Sequence, residues 1–86
     1  MEFEFDQRKS ESNKRKHGID FVQAQSLWFD PNRVYMRAKT SDETRFILIG
    51  KRKTKLWSAI YTMRNNKVRL ISARRARQEE AKIYES

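Results

Sequence analysis

The chain has no cysteine, one proline, two glycines and one histidine in 86 residues. Without cysteine there is no disulfide framework and no thiolate metal site. No stretch has the length or hydrophobicity of a signal peptide or a membrane span, so the expected location is the cytoplasm, away from membranes. No segment is rich enough in Pro, Gly or Ser to serve as a linker, and no internal repeat is visible, so residues 1–86 read as a single domain. Walker, Rossmann and zinc-ligand spacings are all missing, and neither cofactor nor metal is expected. A core of this size buries only about 60–65% of the surface that the unfolded chain exposes, which implies modest stability.

What is present is positive charge. Lys and Arg total 20 against 11 Asp and Glu, for a net charge of +9 and a pI near 10.3. That balance favours a polyanionic partner, most commonly nucleic acid. An acidic protein or an anionic lipid surface is the alternative, but no long basic amphipathic helix offers itself to a membrane.

Glu2 to Phe5 alternates Glu and Phe and reads as a short strand with Phe3 and Phe5 inward. Asp6 then caps a first helix, which Gly18 ends in the left-handed conformation. From Gln7 to Lys16 this helix has no apolar residue, so no apolar stripe holds it. Lys9, Asn13 and Lys16 share a narrow arc with His17 at its edge, either simply solvated or facing phosphate. Asp20 with Gln23 forms a capping box for a second helix, and Ile19 is placed to staple Ala24. Phe21, Ala24, Leu27 and Trp28 recur at helical spacing as core, and Asp30-Pro31 stops the helix.

From Arg33 the period becomes two. Val34, Met36 and Ala38 alternate with polar residues, a polar loop follows around Thr40 to Glu43, and Arg45 to Ile49 suits a central strand. A basic turn after Gly50 leads to a strand near Leu56 to Met63. Asn65-Asn66 then signals a tight turn into Val68 to Ser72. A two-residue loop there pairs Met63 with Val68, Tyr61 with Leu70 and Ala59 with Ser72. Arg64, Lys67 and Arg69 then cluster on the opposite face, where like charges need a counterion. The cluster is either a phosphate seat or a solvated hairpin tip. Ser72 or Ala73 opens a last helix to about Tyr84, with Ala73, Ala76, Ile83 and Tyr84 on its apolar arc and Glu80 in the middle. A carboxylate drawn into that stripe must be paired, and Arg64, Arg69 and Arg74 are the available partners. The expected fold is α+β: a small antiparallel sheet, two N-terminal helices and one C-terminal helix.

These residues resemble the BrnT toxins of bacterial type II toxin–antitoxin systems. The resemblance rests on Asp6, Lys9, Asn13 and Lys16-His17-Gly18, then Phe21 and Ala24, Glu43-Thr44-Arg45, Tyr61-Thr62-Met63-Arg64, and Ile71 to Ala76 followed by Glu80 and Tyr84. Phe5 stands where the family usually has Trp, and Gln7 where Pro or an acidic residue is common. The resemblance implies a fold like that of the RelE ribonuclease toxins, metal-independent RNA cleavage that inhibits translation, and neutralisation by a BrnA-like ribbon-helix-helix antitoxin. Promoter DNA is then reached only through the antitoxin.

Such cleavage needs a proton removed from the attacking 2′-hydroxyl, charge stabilised on the phosphoryl oxygens and a proton returned to the leaving oxygen. The expected catalytic set is His17 as acid or base, Arg45, Arg64 and Arg74 clamping the scissile phosphate, and Glu80, which on an alternative reading orients one of those arginines. Lys16, Lys67 and Arg69 guide the RNA backbone. Tyr35 and Tyr61 serve either base stacking or core packing. A non-catalytic basic nucleic-acid-binding module accounts for the charge equally well. His17 also has a plainer reading, as a favourable cation at a helix C-terminus. On the acid–base reading, His17→Ala abolishes RNA cleavage while RNA binding and folding persist; on the capping reading, cleavage survives.

Overall fold

In the computed structural model, residues 1–38 and 42–86 are described, so Thr40 and Ser41 of the expected polar loop lie outside the described residues. Strand β1 (Phe3–Glu4) leads directly into helix α1 (Gln7–His17). Asp6 accepts from the backbone N–H of Arg8 and Lys9, and Gly18 at φ 81° closes the helix by donating its N–H to the Lys14 carbonyl. Helix α2 (Phe21–Ala24) carries the capping box of Asp20 and Gln23, then tightens into a 3-10 segment over Gln25–Phe29. Strands β2 (Val34–Ala38), β3 (Arg45–Arg52), β4 (Lys55–Arg64) and β5 (Lys67–Arg75) follow, and helix α3 (Gln78–Glu85) ends the chain.

Among the described residues the strands form one sheet in the order β1-β5-β4-β3-β2. Three of its pairings are antiparallel, but β1 lies parallel to β5, with Phe3 opposite Val68 and Glu4 opposite Arg69. The expected all-antiparallel sheet is corrected there. One face carries Leu48, Ala59, Tyr61, Val68, Leu70 and Ala73 against Ile19, Phe21, Ala24, Leu27 and Trp28. Phe3 meets Trp28 edge-on with centroids 5.1 Å apart, and Phe5 meets Phe21 at 5.6 Å. Gly50 lies under the 3-10 segment, where a Cβ would stand 3.0 Å from the Leu27 carbonyl oxygen.

Asn65 and Asn66, at φ 50° and 66°, make the expected two-residue turn. Met63 pairs with Val68 and Tyr61 with Leu70 as expected, but Ala59 pairs with Ala73, not Ser72. Ile71 is an extra residue in β5, a bulge that shifts the register by one. Side chains alternate between faces, so this shift turns Ala73 into the core and Arg74 out to the other face beside Ser58. It also corrects the last helix. Ser72 to Arg75 remain strand, and α3 begins only at Gln78.

Helix α1 is attached by polar groups. Ser10 Oγ accepts from Phe21 N–H at 2.9 Å. Asn13, expected on the solvated or phosphate-facing arc, is buried at the edge of β5 beyond the reach of β1. Its amide nitrogen donates to the carbonyls of Ile19 and Ala73, both at 2.8 Å, and its oxygen accepts from Ala73 N–H at 3.2 Å. The carboxamide occupies the hydrogen-bonding groups that a further strand would take. Asn13→Ala leaves these groups without partners, so urea unfolding should show a loss of about 2–4 kcal/mol, from the cost of unmade buried hydrogen bonds. A loss below about 1 kcal/mol would mean that water replaces the amide freely.

Candidate functional site

Cross-strand partners share a face, so the register fixes what the sheet presents opposite its core. Arg45, Thr62, Arg64, Lys67, Arg69, Ser58 and Arg74 all project there. The expected site residues on this face form three groups.

Arg45 and Arg64 meet at Glu43. Arg45 Nη2 lies 3.6 Å from one carboxylate oxygen and Arg64 Nη2 3.8 Å from the other, with side-chain exposures of 37%, 55% and 38% for Arg45, Arg64 and Glu43. Among the described residues Arg45 Nε is buried and has no hydrogen-bond acceptor. Thr62 Oγ1 donates to the Thr44 carbonyl at 2.6 Å and holds this segment to β4. A cleft of about 470 Å³ borders this segment, lined by Arg37, Glu43, Thr44, Phe46, Thr62 and Met63; it opens toward the core side of the sheet, and neither Arg45 nor Arg64 lines it. Two guanidiniums around one partly exposed carboxylate make an anion-binding geometry with a proton acceptor already in it. Glu43 is absent from the expected catalytic set, although alternation along an extended segment puts residues 43 and 45 on one side.

Lys67 and Arg69 take their counterions from Glu2, just before β1, and Glu4 within it. Lys67 Nζ is 3.7 Å from Glu2 and Arg69 Nη1 3.3 Å from Glu4, both consequences of the parallel pairing. The counterion required by the cluster therefore comes from the chain itself.

Arg74 and Glu80 form the third group. Along β4, Ser58, the partner of Arg74, stands six residues from Arg64, roughly 20 Å at strand rise, so the three expected clamp arginines do not converge on one phosphate. Arg74 donates from Nη1 and Nη2 to the two Glu80 oxygens at 2.8 and 2.9 Å, and Ser58 Oγ and Arg77 N–H donate to Oε1 at 2.8 Å each. The side chains are 17% and 7% exposed. The Arg74 fork, against the opposing effect of burial and with help from the Arg77 and Ser58 donors, holds the Glu80 carboxyl at about 2. Its partner Arg74 is raised, chiefly by the same hydrogen bonds. This pair docks α3 onto the sheet. Asp30 secures the far end of that helix, accepting from Lys51 N–H and Tyr84 Oη at 2.7 Å. Burial alone would push Asp30 up, but these donors and Asn32 N–H bring it below its ordinary value.

His17 is exposed on the last turn of α1, beside exposed Lys16, and makes no hydrogen bond or ion pair among the described residues. The structure does not bring it to the Glu43 group. Tyr61 packs in the core against Trp28 and Phe46, while Tyr35 is exposed. Among the described residues no three His, Cys, Asp or Glu side chains are grouped to hold a metal ion, and no helix is long and apolar enough to cross a membrane.

A carboxyl held at about 2 when folded, against its ordinary 4.5, stabilises the fold fully above pH 4.5 and loses that contribution as pH falls toward 2. The contribution is on the order of 3 kcal/mol. Denaturant titrations should show Glu80→Gln weaker than wild type by about this amount at pH 7, the gap closing toward pH 2. A gap that stays constant from pH 7 to pH 3 would contradict the assignment.

No curated protein matches the chain. The family model for the BrnT ribonuclease toxin of type II toxin–antitoxin systems matches residues 5–80. That span runs from the end of β1 to Glu80 and so includes all three charged groups of the sheet face except Glu2 and Glu4. The chain belongs to the BrnT family of ribonuclease toxins of type II toxin–antitoxin systems.

Proposed function

We propose that the chain cleaves RNA at the Arg45–Glu43–Arg64 group, by attack of a 2′-hydroxyl on the adjacent phosphate and without a metal. The observation that carries this reading is the pair of guanidiniums around one half-exposed carboxylate. A phosphate entering there meets two positive forks, and Arg45 Nε supplies a further donor that has no acceptor among the described residues. Glu43 takes the proton of the 2′-hydroxyl. The 2′-oxygen bonds to phosphorus, the bond from phosphorus to the 5′-oxygen breaks, and water returns a proton to that leaving oxygen. A cyclic phosphate and a free 5′-hydroxyl result. Lys67 and Arg69 continue the cationic face along the RNA backbone.

In this reading Arg74 and Glu80 are positioning residues. Their mutual bonds fill both forks and leave little of either side chain exposed. His17, with Lys16, closes α1 and contacts RNA, and the proton transfer expected of it passes to Glu43.

The family implies an antitoxin partner as well as an RNA substrate. We take the antitoxin to be a BrnA-like ribbon-helix-helix protein through which the toxin reaches promoter DNA, and the consequence of cleavage to be inhibited translation in the cytoplasm, on a RelE-like fold. The antitoxin is inferred to cover the face of Arg64 and Arg69, where Glu43 and Glu4 already show how carboxylates sit.

RNA cleavage by the purified chain should persist in EDTA. Glu43→Gln should cut the rate by about 10²–10⁴-fold, as for loss of a general base, and Arg64→Ala by about 10²–10³-fold, with RNA still bound. His17→Ala should stay within about threefold of wild type. Glu43→Gln cleaving at the wild-type rate, or His17→Ala cleaving nothing while folded, would move proton transfer elsewhere. RNA bound but never cut would leave a non-catalytic binding module. A toxin–antitoxin complex with Arg64 and Arg69 open would overturn the inferred occlusion.

A further inference from the structure

At the end of the sheet away from the Asn65 turn, a pocket of about 290 Å³ lies between the end of α1 and the β3–β4 hairpin. Its lining includes Lys14, Arg52, Lys53 and Lys55, with Gln23 and Trp57, and contains no carboxylate. These cations differ from those of the opposite sheet face. Arg45, Arg64, Lys67, Arg69 and Arg74 each hold a glutamate, whereas among the described residues Lys14, Arg52, Lys53 and Lys55 hold none.

The local structure keeps this charge concentrated. Arg52 and Lys55 are direct cross-strand partners, an arrangement in which like charges destabilise the hairpin. Lys53 occupies φ 59°, a left-handed turn position that favours glycine. Lys14 is fixed toward the pocket by Gln23 Oε1 at 2.9 Å and the Gly18 carbonyl at 3.4 Å. Trp57 forms an aromatic wall, with the Arg75 guanidinium 5.6 Å from its ring centroid. Repulsion and an unfavourable turn residue are thus retained where an external anion would relieve the first and contact the second.

We propose that this pocket is a second RNA seat, in which Lys14, Arg52, Lys53 and Lys55 hold a backbone phosphate and the adjoining base lies against Trp57. The aromatic wall favours a nucleic acid strand over a free phosphate or an acidic peptide, because it offers a base a stacking face. The inference rests on RNA being the substrate. Lys55 and Arg64 are the two ends of β4, roughly 30 Å apart at strand rise and on opposite faces, so an RNA strand that engages both seats must pass round the edge of the sheet, which a dinucleotide cannot do.

The test uses a 2′-O-methyl RNA dodecamer, which cannot be cleaved, read by Trp57 fluorescence and by the salt dependence of binding. Wild type should show quenching that disappears in Trp57→Phe, separating it from Trp28. Replacing Arg52, Lys53 and Lys55 together by Ser should weaken binding about 10- to 100-fold at low salt, and the slope of log K against log salt should fall by about 0.7 for each phosphate that is no longer neutralised. Lys53→Gly guards against misfolding: it should raise the Tm, by relieving the left-handed lysine, yet weaken RNA binding several-fold. Unchanged affinity and slope in both variants, with wild type still cutting RNA, would overturn the pocket alone. Pocket-dependent quenching in a protein that cuts no RNA would overturn the ribonuclease reading alone. A poly-glutamate peptide that quenches Trp57 where the RNA does not would assign the pocket to an acidic protein.

Discussion

The side-chain amide of Asn13 takes the place of a strand at the open edge of β5, and it does so for a helix with no apolar stripe of its own. Helices normally dock by burying hydrophobic area. Here Ser10 and Asn13 are the only buried residues of α1, and each is buried because a backbone group needs it. The rest of the helix surface is left free for charge. Pinning α1 beside Ala73 also brings its last turn, with Lys14, up to the β3–β4 hairpin, where Gln23 receives the lysine and the cationic pocket forms.

Charge pairing divides the basic residues by task. Where cations crowd the sheet face, the N-terminal segment and the segment before β3 supply glutamates, and the pairs at Glu2 and Glu43 are long and partly exposed. Exposed pairs of this kind contribute about 0–1 kcal/mol each, so on the proposed reading a phosphate competes with them at little cost. Arg74–Glu80 is different in kind. Its bonds are short and bidentate, and a third and a fourth donor converge on the same carboxylate. Breaking it would leave a charge in the docking surface of α3, so it serves the fold.

Much of the architecture was legible because several local signals agreed. Asp6, Gly18 and the Asp20–Gln23 box marked helix ends, period-two runs marked strands, and Asn65-Asn66 marked a turn whose two residues adopt positive φ. The bulge at Ile71 was not legible, because a single inserted residue has no compositional mark. Ser72 to Arg75, rich in Ala and Arg, then read as helix on propensity, which pairing with β4 overrides. The burial of Asn13 is hidden in the sequence for a related reason. On a helix polar all round, periodicity cannot say which side faces the protein. Of the residues that carry the family resemblance, Asp6, Asn13, Gly18, Phe21, Ala24, Glu80 and Tyr84 prove to be caps, core or clamps. A motif can thus identify a family mainly through its scaffold. The Glu43–Arg45 pair and the Arg52–Lys55 pair were recoverable in principle, from alternation and from pairing the second hairpin as the first was paired.

On the proposed reading, function follows from which cations remain available to RNA: the arginines around Glu43 and the pocket cations, which hold no carboxylate among the described residues, with Arg74 committed to Glu80. Side-chain NMR of the full chain titrated with an uncleavable RNA long enough to span β4 measures this directly. Signals of Glu43, Arg45 and Arg64, together with Lys53, Lys55 and Trp57, should move, while those of Arg74 and Glu80 stay in place. Shifts centred on Arg74 and Glu80, with Arg45 and Arg64 unmoved, would contradict it.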